Sequence, residues 1–352
     1  MNAGAIWWGQ IGNSLRLLTE VTNSLRDCRS AVLQVPRNLP WRQAFYRAVD
    51  ERRSAFSAER RLMRLRWEEN ADPGEFILDE LCSRTVKADY WPGQSYAEYL
   101  GSRDDILLND YHVWITGVSS KTDLAKWTEF ITHYDRAAKQ MDSRGVFVIE
   151  YCGEPAELPM VEKIVYTVEN YDCRVFSLEA AAALENTELR NYQAELAMSI
   201  CRNDPELCYE LLLTGPKLLH APVQTATEAL FDAVSSEGMP FMPMDETEIQ
   251  SAAWEAAIVL LFPVLERCRM NFIDRYRSEL KRYLPISNSN GDRVTDAWDL
   301  EIGALYHIVS SADHGFSGSD ADNIRLCRKV RNLLAHNKIV SVEDVRKILD
   351  FT

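Results

Sequence analysis

The residues best equipped for chemistry lie near the end of the chain, in Arg331-Asn332-Leu333-Leu334-Ala335-His336. Arginine offers a planar fork of donors suited to a phosphate or carboxylate. Histidine titrates near neutrality and can give or take a proton. At about 100° per residue, Ile324, Cys327, Val330 and Leu334 form one stripe that would bury against a bundle. Arg325, Arg328, Lys329, Asn332 and His336 fall on the opposite side, and Arg331 lies at the edge between them. Asn332 and His336 are i, i+4 neighbours, so His336 is expected to face solvent or a partner surface. The same residues also have a purely structural reading: Arg and His near a helix C-terminus meet the helix dipole favourably and bond its last carbonyls, with Asn337 an ordinary residue after the cap.

An Arg, a polar residue, three spacers and a His on a short helix of a small helical domain resembles the signature of HEPN domains. These are all-helical modules, of which many cut RNA without metal and others bind or scaffold. The resemblance covers the segment 246–352. It implies a dimer, because such sites are built across a two-fold axis. It also implies roles: Arg331 on the scissile phosphate, His336 as base toward a ribose 2′-hydroxyl or acid toward the leaving oxygen, and Asn332 orienting either. Arg325, Arg328 and Lys329 would supply RNA contacts, and no metal or cofactor is called for.

An α/β pattern precedes this helical part. Ala31–Val35, Tyr111–Gly117 and Gly145–Ile149 read as strands, with 163–168 and 173–176 as further candidates. Trp41 to Trp67 reads as one long helix, and Thr122 to Gln140 as another, with Leu124, Trp127, Phe130, Ile131 and Tyr134 at helical spacing. Strands separated by helices predict a mainly parallel sheet. From Leu178 to Leu213 the pattern is helical and acidic, as in a small lid; 214–244, with Pro216, Pro222, Pro240 and Pro243, reads as a linker or elbow. One or two long helices follow over 246–284, with a bend at Pro263. Then come an amphipathic helix around 295–311, the motif helix over 320–337 capped by Ser319 or Asp320, and a final helix opened by Ser341-Val-Glu-Asp344.

The layout of the first part is similar to a P-loop ATPase of the AAA or STAND type, but the phosphate chemistry is missing. The loop after the first strand, Pro36-Arg-Asn-Leu-Pro40, has no Gly, Lys or Ser/Thr to cradle phosphate. Gly117-Val-Ser-Ser-Lys121-Thr122 is too short between Gly and Lys, and reads instead as a helix start with Ser120 or Thr122 as cap. Only Glu150 stands as a carboxylate at a strand end. Between Arg42 and Arg66 there are eight Arg and three acids, either a phosphate-facing surface or a solvated helix face, the latter favoured.

The net charge of −14 excludes nucleic-acid binding through the overall field, so any such binding needs a local basic patch. The eight cysteines form no C-x-x-C pair and read as buried or free thiols in a reducing compartment. Met1–Gly9 lacks the charged start of a signal peptide. No apolar run is expected to approach the ~18 residues of a membrane helix, and a cytoplasmic chain is expected. Of the other histidines, His307 reads as structural and His314 as exposed. Trp7, Trp8 and Met239–Met244 read as exposed groups for docking, or as core.

The domain expectation is therefore 1–176 as a degenerate P-loop-like α/β domain, 177–245 as a helical lid and linker, and 246–352 as a HEPN-like bundle. Functionally, these two resemblances together imply a regulated, metal-independent ribonuclease of a prokaryotic defence or toxin-type system, with ATPase activity not expected and a partner protein from the same system. The alternative is a non-catalytic adaptor whose ATPase-like domain binds a partner while the helical domain dimerises.

Overall fold

A computed structural model describes the chain except residues 1, 70, 141–142, 158–160, 185–188, 288–290, 312–314 and 352, and the side chain of 140. His314 therefore lies outside the described residues. The chain divides into two compact units, Met1–Asp172 and Cys173–Thr352.

The first unit contains α1 (Ala3–Gln10), α2 (Gly12–Arg26), β1 (Ala31–Gln34), α3 (Arg42–Ser54), β2 (Arg61–Arg66), α4 (Pro73–Leu81), α5 (Arg84–Asp89), α6 (Tyr96–Gly101), β3 (Tyr111–Val118), α7 (Lys121–Ala137), β4 (Val146–Tyr151) and β5 (Glu162–Val165). Its five strands form one parallel sheet in the order β2-β3-β4-β1-β5. All six residues of β4 are buried, as expected for an inner strand covered on both faces. Side chains alternate across the sheet. Val113, Ile115, Phe147 and Ile149 join a core with Ile77 of α4, Leu100 of α6 and Trp127 of α7. Trp114 points the other way, edge-on to Phe45 and Tyr46 of α3.

Several expectations are corrected. The long helix over 41–67 is instead α3 followed by β2. Arg61-Leu-Met-Arg64-Leu-Arg66 is an edge strand, paired only with β3, and an edge position tolerates the exposed arginines that an inner strand would reject. Residues 173–176 are helical, within α8 (Asn170–Ala183); Cys173 and Phe176 are both buried one turn apart. The proposed linker contains two helices, and Pro216 and Pro222 open them, because a first-turn proline loses no hydrogen bond. Trp7 and Trp8 are core residues: the Trp7 indole donates to the Tyr166 hydroxyl (3.1 Å) and that of Trp8 to the Pro40 carbonyl (2.9 Å).

The second unit is helical apart from a two-stranded ribbon. After α8 come α9 (Arg190–Cys201), α10 (Pro205–Leu213), α11 (Pro216–His220), α12 (Pro222–Asp232), α13 (Glu246–Arg275), α14 (Arg277–Leu280), β6 (Ile286–Ser287), β7 (Arg293–Val294), α15 (Ile302–Ser311), α16 (Gly318–Ala335) and α17 (Val342–Leu349). An Asp245–Glu248 capping box opens α13, which runs unbroken through Pro263. By length and composition it also passes the test for a membrane span, which corrects the expectation that no segment comes near it; 44% of that window is buried inside the protein, and a helix in the core of a bundle passes the same test. His307 is exposed on α15, not structural as expected.

His112 on β3 is buried, and neither ring nitrogen has a hydrogen-bond partner. Burial, then the charges of Arg60 and Arg53, hold its pKa down to about 4. The folded chain keeps His112 neutral while the unfolded chain protonates it near the ordinary 6.5, so this residue's stabilisation is present above 6.5 and is lost as pH falls toward 4. Between pH 7 and pH 5 the wild type should lose about 2 kcal/mol more stability than His112→Phe, measured by urea unfolding; equal losses would refute this account.

Candidate functional site

The motif residues sit at the C-terminal end of α16. Ser317, rather than Ser319 or Asp320, caps its start by accepting from the Asp320 amide. Ile324, Cys327, Val330 and Leu334 are buried, which is the stripe read from the sequence. Arg331 and His336 are exposed and Asn332 is half-buried. No hydrogen bond or ion pair among the described residues engages the side chains of Arg331, Asn332 or His336, so the pairing of Asn332 with His336 is not formed.

The helix end itself is firmly built. His336 is the C-cap, and Asn337 adopts a left-handed conformation with φ 53°. The Lys338 amide bonds the Leu333 carbonyl at 2.9 Å and the Asn337 amide bonds that of Leu334 at 3.2 Å, the paired closure of a Schellman motif. Asn337 is therefore a specific requirement of the turn, a role the sequence reading did not assign it. From α13, the Trp254 indole donates to the Leu334 carbonyl (2.7 Å) and the Gln250 amide to the Asn337 carbonyl (3.2 Å). Neither residue was predicted, since each lies some eighty residues away in sequence and carries no motif.

The expected basic patch is partly spent within the protein. Arg325 pairs with Asp322 at 2.7 Å, Arg328 lies 3.9 Å over the Tyr306 ring, and Lys329 pairs with Asp344 at 2.7 Å. The Asp344 carboxylate turns to Lys329 while Ser341 caps α17 by accepting the Asp344 amide.

A second candidate position lies at the carboxyl ends of the sheet. The connection leaving β1 runs toward β2, whereas those leaving β3 and β4 run the opposite way along the sheet. Ligands of open α/β sheets bind at such a reversal, here between β1 and β4. Glu150 of β4 is there, fully buried. It is ion-paired with Arg42 and accepts from the Tyr46 hydroxyl (2.7 Å) and the Trp114 indole (3.0 Å). Burial and the neighbouring carboxylate push the Tyr46 hydroxyl well above its usual range, so it remains a donor. Arg42 also donates to the Arg37 carbonyl at 2.7 Å, closing the loop after β1 over the position. The Gly117–Thr122 segment starts a helix: Ser120 caps α7 and Lys121 pairs with Glu154 at 3.0 Å.

A groove of about 440 Å³ runs along α7, lined by Lys121, Thr128, Glu129, Thr132, His133 and Val161 among others; none of the sequence-predicted site residues lines it. Among the described residues no group of three or more His, Cys, Asp or Glu is placed to hold a metal ion. Compared with known proteins, the chain matches no family model and no curated protein.

Two outcomes test these assignments. Asn337→Val should cost about 1–2 kcal/mol, the penalty of a left-handed β-branched residue, while Asn337→Gly should be neutral; equal effects in thermal unfolding would argue against the closure. Glu150→Ala, which strands Arg42, should destabilise the first unit by about 3 kcal/mol or more, and joint replacement, Arg42→Met with Glu150→Leu, should recover most of that in the same measurement.

Proposed function

We propose that the second unit is a HEPN-like module and that the chain is a metal-independent endoribonuclease of a cytoplasmic prokaryotic defence or toxin-type system, acting through Arg331 and His336 with Asn332 as a positioning residue. The observation that carries this reading is that both side chains are exposed and uncommitted at a helix end held rigidly by the Asn337 turn and by Trp254 and Gln250. A purely capping role would engage them with the last carbonyls, and those of Leu333 and Leu334 already have other donors. A solvent-facing Arg and His five residues apart at the helix end suit a shared site in which a second copy completes the contacts to RNA: Arg331 steadies the phosphate while His336 moves the proton. Of the basic residues expected to contact RNA, Arg325 exchanges Asp322 for a phosphate and Arg328 turns its donors outward while still stacked on Tyr306, whereas Lys329 stays paired with the buried Asp344.

The first unit is, in this proposal, an ATPase-like scaffold or sensor without hydrolysis. Its support is the Arg42–Glu150 pair occupying the ligand position of the sheet, beside a loop with no phosphate-binding chemistry. The adaptor alternative has support of its own. A turn bridged at Val234 and Pro240 leaves Met239 50%, Met242 79% and the nearby Phe231 89% exposed, although Phe241 of the same stretch is buried. Such apolar exposure favours a protein partner.

The deciding experiment incubates end-labelled total tRNA and a long single-stranded RNA with the purified chain in EDTA, beside His336→Ala at matched oligomeric state. Cleavage by the wild type, lowered at least about 100-fold in the variant, is the expected result. Equal cutting by both refutes this site, and no cutting by either favours the adaptor.

A further inference from the structure

Seams between helices normally close with carbon side chains, but the seam between α13 and α16 holds two thiols. The two helices run antiparallel. At one end Arg275 pairs with Asp320 (2.8 Å), which also accepts from Tyr276 (2.6 Å). At the other, Trp254 and Gln250 hold the carbonyls of Leu334 and Asn337. Seven residues inward from Arg275 stands Cys268, and seven inward from Asp320 stands Cys327. Seven residues are close to two full turns, so both steps return to the facing sides on which Arg275 and Asp320 meet. This register makes the two thiols neighbours across the seam, and each is the largest influence on the other's ionisation. Cys268 packs against the core cluster that includes Ala321 and Ile324 of α16.

The two cysteines differ in a way that assigns roles. Cys268 is half-buried while Cys327 is buried. The neighbouring Cys327 thiol holds Cys268 below its ordinary range, whereas the Cys268 thiol and burial hold Cys327 well above it. Reactive thiols are the accessible, readily ionised ones with a second thiol alongside. The other close group, Cys173, Cys201 and Cys208, is buried at every member, which shields it from oxidant.

We propose that Cys268 and Cys327 are a peroxide-oxidisable pair whose disulfide staples α16 to α13. The Cys268 thiolate attacks the peroxide O–O bond, forming a sulfenic acid and releasing water after protonation. The Cys327 sulfur then attacks the sulfenic sulfur, expelling a second water. Two thiols lose two electrons and two protons in all, and one peroxide becomes two waters. Cys327 lies one turn before Arg331, so the bond fixes the helix bearing the candidate site. The pair itself depends on no nuclease activity, and its test reads mass alone.

The full chain, reduced and then freed of reductant, is treated with one equivalent of hydrogen peroxide. The expected product is lighter by about 2 Da, yields a peptide joining Cys268 to Cys327 on non-reducing digestion, and reverts with dithiothreitol. Cys268→Ser, at a half-buried position and checked for native circular dichroism, should abolish the 2 Da loss; Cys327→Ala should instead accumulate the sulfenic acid, about 16 Da heavier. A joined pair other than Cys268–Cys327, or stable oxygen addition at Cys268 in the wild type, would overturn the proposal.

Discussion

The antiparallel seam between α13 and α16 is the constraint on which the second unit depends. Most of the stability of a helix such as α16, eighteen residues long, comes from tertiary packing of its apolar face rather than from propensity. Here that face is joined by directional contacts at both ends: the Asp320 carboxylate takes Arg275 and Tyr276, and the last carbonyls take Trp254 and Gln250. Hydrophobic burial alone would allow α16 to slide by a turn; directional contacts at both ends fix its register. The side chains at the helix end inherit that precision although none of them takes part in it. This separation, with some residues holding the backbone and others left free, is what a reactive site requires.

A different constraint organises the first unit. A carboxylate buried at the carboxyl end of an inner strand must be matched or it would cost several kcal/mol. Glu150 is matched three times, by Arg42, Tyr46 and Trp114. These come from α3 and β3, so one charge draws a helix, a strand and the loop after β1 to a single point. In a nucleotide-binding sheet the same place must stay open and present amides. Here the protein's own ion pair fills it, and removing either partner would unbalance the fold before any ligand gained entry.

What was legible in the sequence follows burial. The inner strands β1, β3 and β4 are short runs with apolar residues on both faces, so their pattern stands out without context, as does the α16 stripe. The edge strand β2 does not stand out from the sequence because its arginines obey only the solvent side of the pattern and the helix before it shares the same charge. Residues 173–176 were misread because four apolar-rich residues fit either period, and only the rest of α8 decides. Whether Trp7 and Trp8 meet a partner or the core stays open in the sequence, because an apolar N-terminal segment carries no sign of what covers it; the structure puts both in the core. At the site, the exposure of His336 could be read from helical phase and that of Arg331, at the edge of the apolar stripe, could not; nor could Trp254 and Gln250, since long-range side chain to backbone contacts leave no periodic trace. The left-handed Asn337 does leave a signal, an Asn two residues after Ala335 at the place where a helix takes its left-handed cap.

The electrostatics of the α16 surface decide what kind of polyanion this unit could accept. The ion pair Arg325–Asp322 has both members largely exposed, so it is worth little and a phosphate can replace the carboxylate at small cost. Lys329 is different, because its partner Asp344 is 8% exposed. Pulling Lys329 away leaves a desolvated carboxylate, a cost of a kind that surface pairs do not carry. Arg328, stacked on Tyr306, can keep its ring contact and still point donors outward, since a guanidinium bonds in its plane while stacking through its face. A nucleic acid reaching this surface would thus be met first by Arg331, Arg325 and Arg328, with Lys329 remaining part of the fold. In a chain of net charge −14, so small a set of available cations sets a limit: contacts must be few and local, as for a single phosphodiester held at a site, and unlike the long electrostatic track of a protein that coats its nucleic acid.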